Sequence, residues 1–344
     1  MSTGKEVKAA FRQAATWGVP TVVGSADALL ITSEKITRTR EHLPDDSAGQ
    51  AFAAGADRGL ITCGGDLGAY LRYQGLEVLL ALALGQAGTP EDLGANAFHH
   101  RLGLAASNAG LFGTLAIFKG FSVHEHPAVK VDGFSISGEA GQPLTVTFHL
   151  ICDDLNLNTS AGANTSATLA AIANPAPGLR VLFRQGTFWL NDAEDEALTA
   201  THAIAPNRFD LTFKRKLEGD YLAGGQDRIA EPIATGFPEI SLSLEFPRYT
   251  SDTYLSDLGN DTRKKLRLAF TGEPIEAGLN HTLEILFPHL VITNAEAAVD
   301  KAGKITHPVS LDCLATHHER AGMPGVMAPF ALNLTNRRAS SALA

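Results

Sequence analysis

Pro238-Glu-Ile-Ser-Leu-Ser-Leu-Glu-Phe-Pro247 sets Ile240, Leu242, Leu244 and Phe246 in alternation with Ser241, Ser243 and Glu245. Successive side chains of an extended strand point to opposite faces, so this spacing predicts a strand with one face buried and one in water. The same period of two runs through Leu144, Val146, Phe148, Leu150 and Cys152, through Leu283, Ile285 and Phe287, and through Val309, Leu311 and Cys313. Gly or Pro bounds each run, which predicts antiparallel sheet. Helical pattern is scarce. Leu76–Leu84 before Gly85 and Tyr249–Leu258 before Gly259 read as two short helices, each following a strand.

Working outward from that strand, the chain answers itself. Ile240–Phe246 matches Leu67–Tyr73 (LGAYLRY), and Val309–Ala315 (VSLDCLA) matches Val146–Cys152 (VTFHLIC). Thr282–Ile285 (TLEI) matches Thr114–Ile117 (TLAI), and Gly225-Gln-Asp227-Arg228 matches Gly55-Ala-Asp57-Arg58. Phe183-Arg184-Gln185 with Trp189 matches Phe11-Arg12-Gln13 with Trp17, and these are the 2 tryptophans of the chain. The matches are collinear, so we read a duplication: a first domain over 1–155, a linker over 156–178 rich in Asn, Thr, Ser, Ala, Gly and Pro, and a second domain over 179–336. The tryptophans are expected in equivalent places, and 337–344 is expected to be a mobile tail. Each half also carries a long polar excursion between strands, Glu41–Gly59 and Leu217–Ile233, which hold the paired Asp57-Arg58 and Asp227-Arg228. Long connections of this kind tend to carry function.

The 344 residues suffice for two cores. With 28 Lys and Arg against 37 Asp and Glu the formal charge is −9, which argues against gripping nucleic acid by phosphate neutralisation. Charged residues make up 19% and apolar ones 44%, a globular balance, and 33 glycines with 16 prolines supply the turns of an all-β chain. The 3 cysteines, Cys63, Cys152 and Cys313, lie far apart without a CxxC pair, which reads as neither a disulfide framework nor a zinc site; Cys152 and Cys313 read as core thiols. No signal core or membrane span is legible: Val78–Leu84 is the longest strongly apolar run, and a span needs about 20 residues. A reducing, aqueous compartment is the expected setting, where Asn158, Asn164 and Asn280 carry no glycosylation meaning.

Catalytic patterns fail one by one. Gly133-Phe-Ser135-Ile-Ser137 lacks the closing glycine of a nucleophile elbow, and Gly303-Lys304-Ile305-Thr306 lacks the rest of a phosphate loop. Gly64-Gly-Asp-Leu-Gly68 has the wrong spacing for a dinucleotide turn. His124 and His126 could share a strand face as metal ligands, and His317-His318-Glu319 forms a second cluster, but neither has a third ligand in sequence reach, so they read as surface or partner-contact histidines. Asp153-Asp154 reads as a solvated strand end. No motif suggests an enzyme, a cofactor or a metal.

The succession of a strand near Pro20–Ile31, a basic strand around Ile36-Thr-Arg-Thr-Arg40, the long loop to Ala56-Asp57-Arg58, the LGAYLRY strand and the LLALALG helix resembles the opening of the tail tube proteins, or major tail proteins, of long-tailed bacteriophages. Phe209–Leu217 (FDLTFKRKL), Pro238–Arg248 and Thr282–Pro288 continue it in the second half. The resemblance implies an antiparallel β-sandwich or barrel with one helix and a long loop per domain, assembled into stacked rings around a DNA conduit. With two domains per chain, a ring of six domains implies three chains and pseudo-sixfold symmetry. Such a protein partners with itself and with other tail proteins at the tube ends, lets DNA pass without specific binding, and involves no membrane. In that family the long loop reaches a neighbouring ring, which makes Asp57, Arg58, Asp227 and Arg228 candidate inter-ring contacts. A lumen that does not retain DNA should be poor in cations. The solvent-side Glu245 and Glu284 are therefore candidates to line it, with exterior solvent as the competing position. Competing readings are a tube-fold component of a contractile injection or secretion apparatus, and a β-sandwich carbohydrate-binding protein, which would need more clustered aromatics.

Overall fold

The structure is a computed structural model describing residues 3–52, 55–157, 163–224, 227–299 and 302–343. Its first half runs β1 (Lys8–Gln13), β2 (Ala28–Leu29), β3 (Ser33–Pro44), β4 (Ala56–Tyr70), α1 (Glu77–Leu84), β5 (Gly85–Ala87), β6 (Glu91–Asp92), β7 (Phe98–Leu104), β8 (Gly113–Phe118), β9 (Val123–Glu139) and β10 (Thr145–Cys152). After β11 (Asn156–Leu157) and α2 (Ser166–Ala171) come β12 (Gly186–Asp192), β13 (Ala203–Ile204), β14 (Arg208–Lys214), β15 (Leu217–Glu218), β16 (Ile233–Ala234) and β17 (Glu239–Phe246). The chain ends with α3 (Thr253–Gly259), β18 (Lys264–Glu276), β19 (Leu279–Asn294), β20 (His307–Cys313) and β21 (Ala331–Asn336). The protein is mainly β, and its strand pairings are antiparallel, as the alternation predicts.

The strands sort into two series. The first is β2-β1-β8-β9-β10-β4-β3. The second is β13-β12-β18-β19-β20-β17-β14. Each places a helix directly after the strand that precedes it in the match, α1 after β4 and α3 after β17. Leu67–Tyr73 and Ile240–Phe246 thus fall on or beside strands that hold the same place, as do Val146–Cys152 and Val309–Ala315. Two other matches do not keep their places. Thr114–Ile117 is in β8 and Thr282–Ile285 in β19, whose counterparts are β18 and β9. Trp17 lies in a turn beyond β1, edge-on to Phe112 at 5.4 Å, whereas Trp189 lies inside β12. The expected equivalence of the tryptophans is therefore corrected: a strand that starts a few residues later relative to its Phe-Arg-Gln word moves the indole from turn to sheet.

The halves are joined by strand pairing. β14 pairs β9 from Arg208 opposite Glu139 to Lys214 opposite Gly133, and β21 lies between β19 and β7. At Gly133 a Cβ would overlap the Phe213 carbonyl oxygen, so the close approach of β9 and β14 requires glycine there. The pairings branch and never return on themselves, so among the described residues no barrel closes. One apolar core crosses the join: Phe134 of β9 packs on Phe213 of β14 at 5.4 Å, and Phe330 stands 5.5 Å from Phe213 and 6.0 Å from Phe287 of β19.

Burial follows the sequence alternation. Ile240, Leu242 and Leu244 are buried, as are Val146, Phe148, Leu150 and Cys152, Leu283, Ile285 and Phe287, and Val309, Leu311 and Cys313. α1 keeps the C-terminal stop expected of Gly85, which adopts φ 84 and ends the helix. Within the segment 156–178, read as a linker, β11 pairs β9 and Thr165 caps α2 by accepting from Thr168 N, while 172–178 carry no regular structure. Asn164 in the same segment is buried, donating from Nδ2 to Thr21 O at 3.1 Å and to Glu125 Oε2 at 2.9 Å. In the tail expected to be mobile, the Arg338 carbonyl oxygen lies 2.8 Å from His100 Nε2. Asn336 donates from Nδ2 to Tyr73 O at 2.8 Å, and Ala342 is buried. No described helix is long and apolar enough to cross a membrane.

Candidate assembly surfaces

β10 leaves β4 at Cys63, and beyond that point only β3 accompanies β4, out to Pro44 opposite Ala56. The result is a two-stranded arm whose outer residues are mostly exposed on both faces. Glu41–Gly59, expected as a loop, is therefore strand at both ends, over 41–44 and 56–59, and the connection proper is 45–55. Asp45 begins it, its amide donating to Gly55 O at 2.9 Å and its carboxylate accepting from Ser47 N at 3.0 Å. The Ser47 hydrogen bonds hold that carboxyl below its ordinary value. Phe52 near the tip is 87% exposed. Asp57 and Arg58 stand opposite Leu43 and His42, both exposed, and neither side chain meets a polar partner among the described residues.

The second excursion folds back. After β15 pairs β16, the segment between them runs along the root of the arm: Ile61 N, the second amide outward from Cys63, donates to Asp227 O at 2.8 Å, and the Tyr221 hydroxyl donates to Ile61 O at 2.6 Å. Trp17 Nε1 donates to Ile229 O at 3.0 Å. Arg228 Nη2 lies 2.7 Å from Asp154 Oδ2 and its Nη1 3.9 Å from Asp153 Oδ2, while Asp227 pairs with Arg40. Glu231 pairs with Lys130, whose side chain is fully buried, and its Oε1 accepts from Gly110 N at 2.6 Å. Burial pulls the Lys130 ammonium below its ordinary value, and Glu231 opposes that. Asp153 and Asp154, expected as a solvated strand end, are 1% and 3% exposed. Two cations, Arg38 and Arg228, allow that burial by meeting Asp154 from different segments. Burial raises the Asp153 carboxyl above its ordinary value.

The two lumen candidates sit in paired strands. Glu245 is half-buried on β17, opposite Arg208 of β14 and Pro308 of β20. Glu284 on β19 is ion-paired with Arg267 of β18, and the Arg267 guanidinium lies 5.1 Å above the Trp189 ring. His317 and His318 are exposed, as expected of surface histidines, but His126 is 1% exposed and corrects that reading. It comes together with Cys63 and Cys152, a convergence that spacing alone does not show because the three lie on three strands.

A search of curated proteins finds no match to the chain. A family model described as phage tail tube protein matches residues 4–315, nearly the whole chain.

Proposed function

Because the chain belongs to the phage tail tube protein family, we propose that it is the subunit of a virion tail tube made of stacked rings, each closed by three chains with pseudo-sixfold symmetry around a lumen that conducts DNA. What supports the stoichiometry is the repeated strand order: read as two like units, within 1–155 and 179–336, it lets three chains present six similar units around an axis. Closure into a ring would also cover sheet edges that otherwise invite open-ended pairing.

The arm of β3 and β4, with Asp57 and Arg58, is the device for stacking one ring on the next, where charges set register more than they add affinity. Asp227 and Arg228 act inward, fixing the root of that arm within their own chain. The net charge of −9 suits a conduit that does not hold DNA. Glu245 and Glu284 are its candidate lining residues.

Electron microscopy of the purified protein tests this. Rings of six lobes with the mass of three chains, or tubes built from them, are expected. Six chains per ring would defeat the trimer, and a protein that stays monomeric under assembly conditions would defeat the tube role. Glu245→Lys with Glu284→Lys should leave rings intact and make tubes retain DNA at low salt; unchanged DNA retention in a filter-binding assay removes both residues from the lumen.

A further inference from the structure

Cys63 and Cys152 are direct cross-strand partners on β4 and β10. Residues opposite one another in an antiparallel pair project to the same face, so the two thiols face the same space. Val129 of β9 is the next partner of Cys152 across the sheet, and His126 lies an odd number of residues from it. By simple alternation the imidazole would point to the opposite face. It does not, because the β8–β9 register slips between Gly113 and Leu115, where β9 carries one extra residue. A bulge of that kind re-aims a side chain. The donor atoms of Cys63, Cys152 and His126 lie within 4.8 Å of one another, and the residues are 3%, 0% and 1% exposed.

The spacing has a chemical meaning. Bonds of about 2.3 Å to sulfur and about 2.0–2.1 Å to nitrogen, meeting at a tetrahedral angle, separate sulfur from nitrogen by about 3.6 Å. Cys63 Sγ and His126 Nδ1 are 3.7 Å apart. The same Nδ1 lies 3.1 Å from the Asp154 carbonyl oxygen, which can only accept from it, so an ion bound at Nδ1 displaces that proton. His126 Nε2 is buried without a partner, so the ring is held only from its Nδ1 side.

We propose that Cys63, Cys152 and His126 form a buried site for a zinc-class divalent cation, at the point where the arm of β3 and β4 leaves the body. The donor set of two sulfurs and one imidazole selects a borderline-soft ion over calcium or magnesium, which take oxygen ligands. Bound there, the ion links β4, β10 and β9 at the root of the arm.

The full chain, reduced and stripped with a chelator, is titrated with Co2+ as the probe and followed by absorption. One cobalt per chain is expected, with a thiolate-to-cobalt charge-transfer band and tetrahedral d–d bands, both displaced by Zn2+. Cys63→Ser and Cys152→Ser should each remove the charge-transfer band or cut it by half or more. His126→Asn should weaken cobalt binding at least tenfold, and Cys313→Ser should change neither. X-ray absorption on the zinc-loaded wild-type chain reads the ligand set without any variant, with two sulfurs and one nitrogen expected in the coordination sphere. No charge-transfer band in the wild type, a band that survives Cys63→Ser with Cys152→Ser, or an isolated chain two hydrogens light from a Cys63–Cys152 disulfide would overturn the site.

Discussion

β3 and β14 hold the same place in the two strand series, and the chain leaves each of them into a polar excursion, yet the two excursions end differently. β3 has 12 residues and one partner, β4, so its far edge is open. β14 has 7 residues and is clamped between β17 and β9, and the chain beyond it turns back onto its own molecule. Length and polarity are alike in both. What differs is the supply of partners: the second excursion finds Asp154, Lys130, Ile61 and Trp17 waiting for its charges and carbonyls. The arm finds none for Asp57 and Arg58. Within this comparison the arm is set apart by exposed charges, Asp57 and Arg58, that water rather than the chain solvates among the described residues.

Removing residues 45–53 should have the largest effect on that contrast. Rings should persist while tubes vanish, as seen by negative-stain microscopy and sedimentation; tubes of normal length after the deletion would show that the arm is not the stacking element. Next in size is Arg228→Ala. It leaves the buried Asp153 and Asp154 with Arg38 alone and should lower stability by about 2 kcal/mol in urea unfolding, after allowing for the solvent around half-exposed Arg228. A change below about 0.5 kcal/mol would place the second excursion among unanchored surface loops.

Acidity gives a gentler handle on the same anchor. Because burial raises the Asp153 carboxyl in the folded state, the folded chain holds that proton more tightly than the unfolded chain does. This group's contribution to stability therefore rises as pH falls from above the raised value toward the ordinary carboxylate value, and is constant below it. Asp153→Asn should flatten that slope in urea midpoints taken across mildly acidic pH, and an unaltered slope would assign it to other groups. The smallest effect on the fold should come from Arg58→Glu on the arm, within about 0.5 kcal/mol in the same assay. Yet it should shift the salt dependence of tube assembly measured by light scattering, and unchanged assembly would take Arg58 out of the ring contact.

The sheet of the body was legible in the sequence because burying one face writes a period of two, as in Ile240, Leu242 and Leu244. α1 was legible from an apolar run stopped by Gly85. The outer part of the arm was not, because a ribbon wet on both faces has no alternation to read: Ile36–Arg40 was legible as a basic strand, but Glu41, His42, Leu43 and Pro44 look like loop. Asp153 and Asp154 were misread for the opposite reason, since the arginines that permit their burial come from distant positions, 38 and 228. His126 was hidden by a one-residue bulge, which reverses the face that alternation assigns.

The position of β21 bears on synthesis. Among the described strands it is the last to be made, and it fills the edge of β7, which was made more than two hundred residues earlier. Asn336 at its end also bonds the Tyr73 carbonyl and the Glu77 side chain beside α1. At roughly 5–20 residues per second on the ribosome, that edge waits on the order of ten seconds or more for its partner. The first half is thus completed only when the second has been translated, so a chain cut short before β21 lacks a strand in the unit it made first. The same arrangement couples the two halves in folding more closely than a string of independent domains.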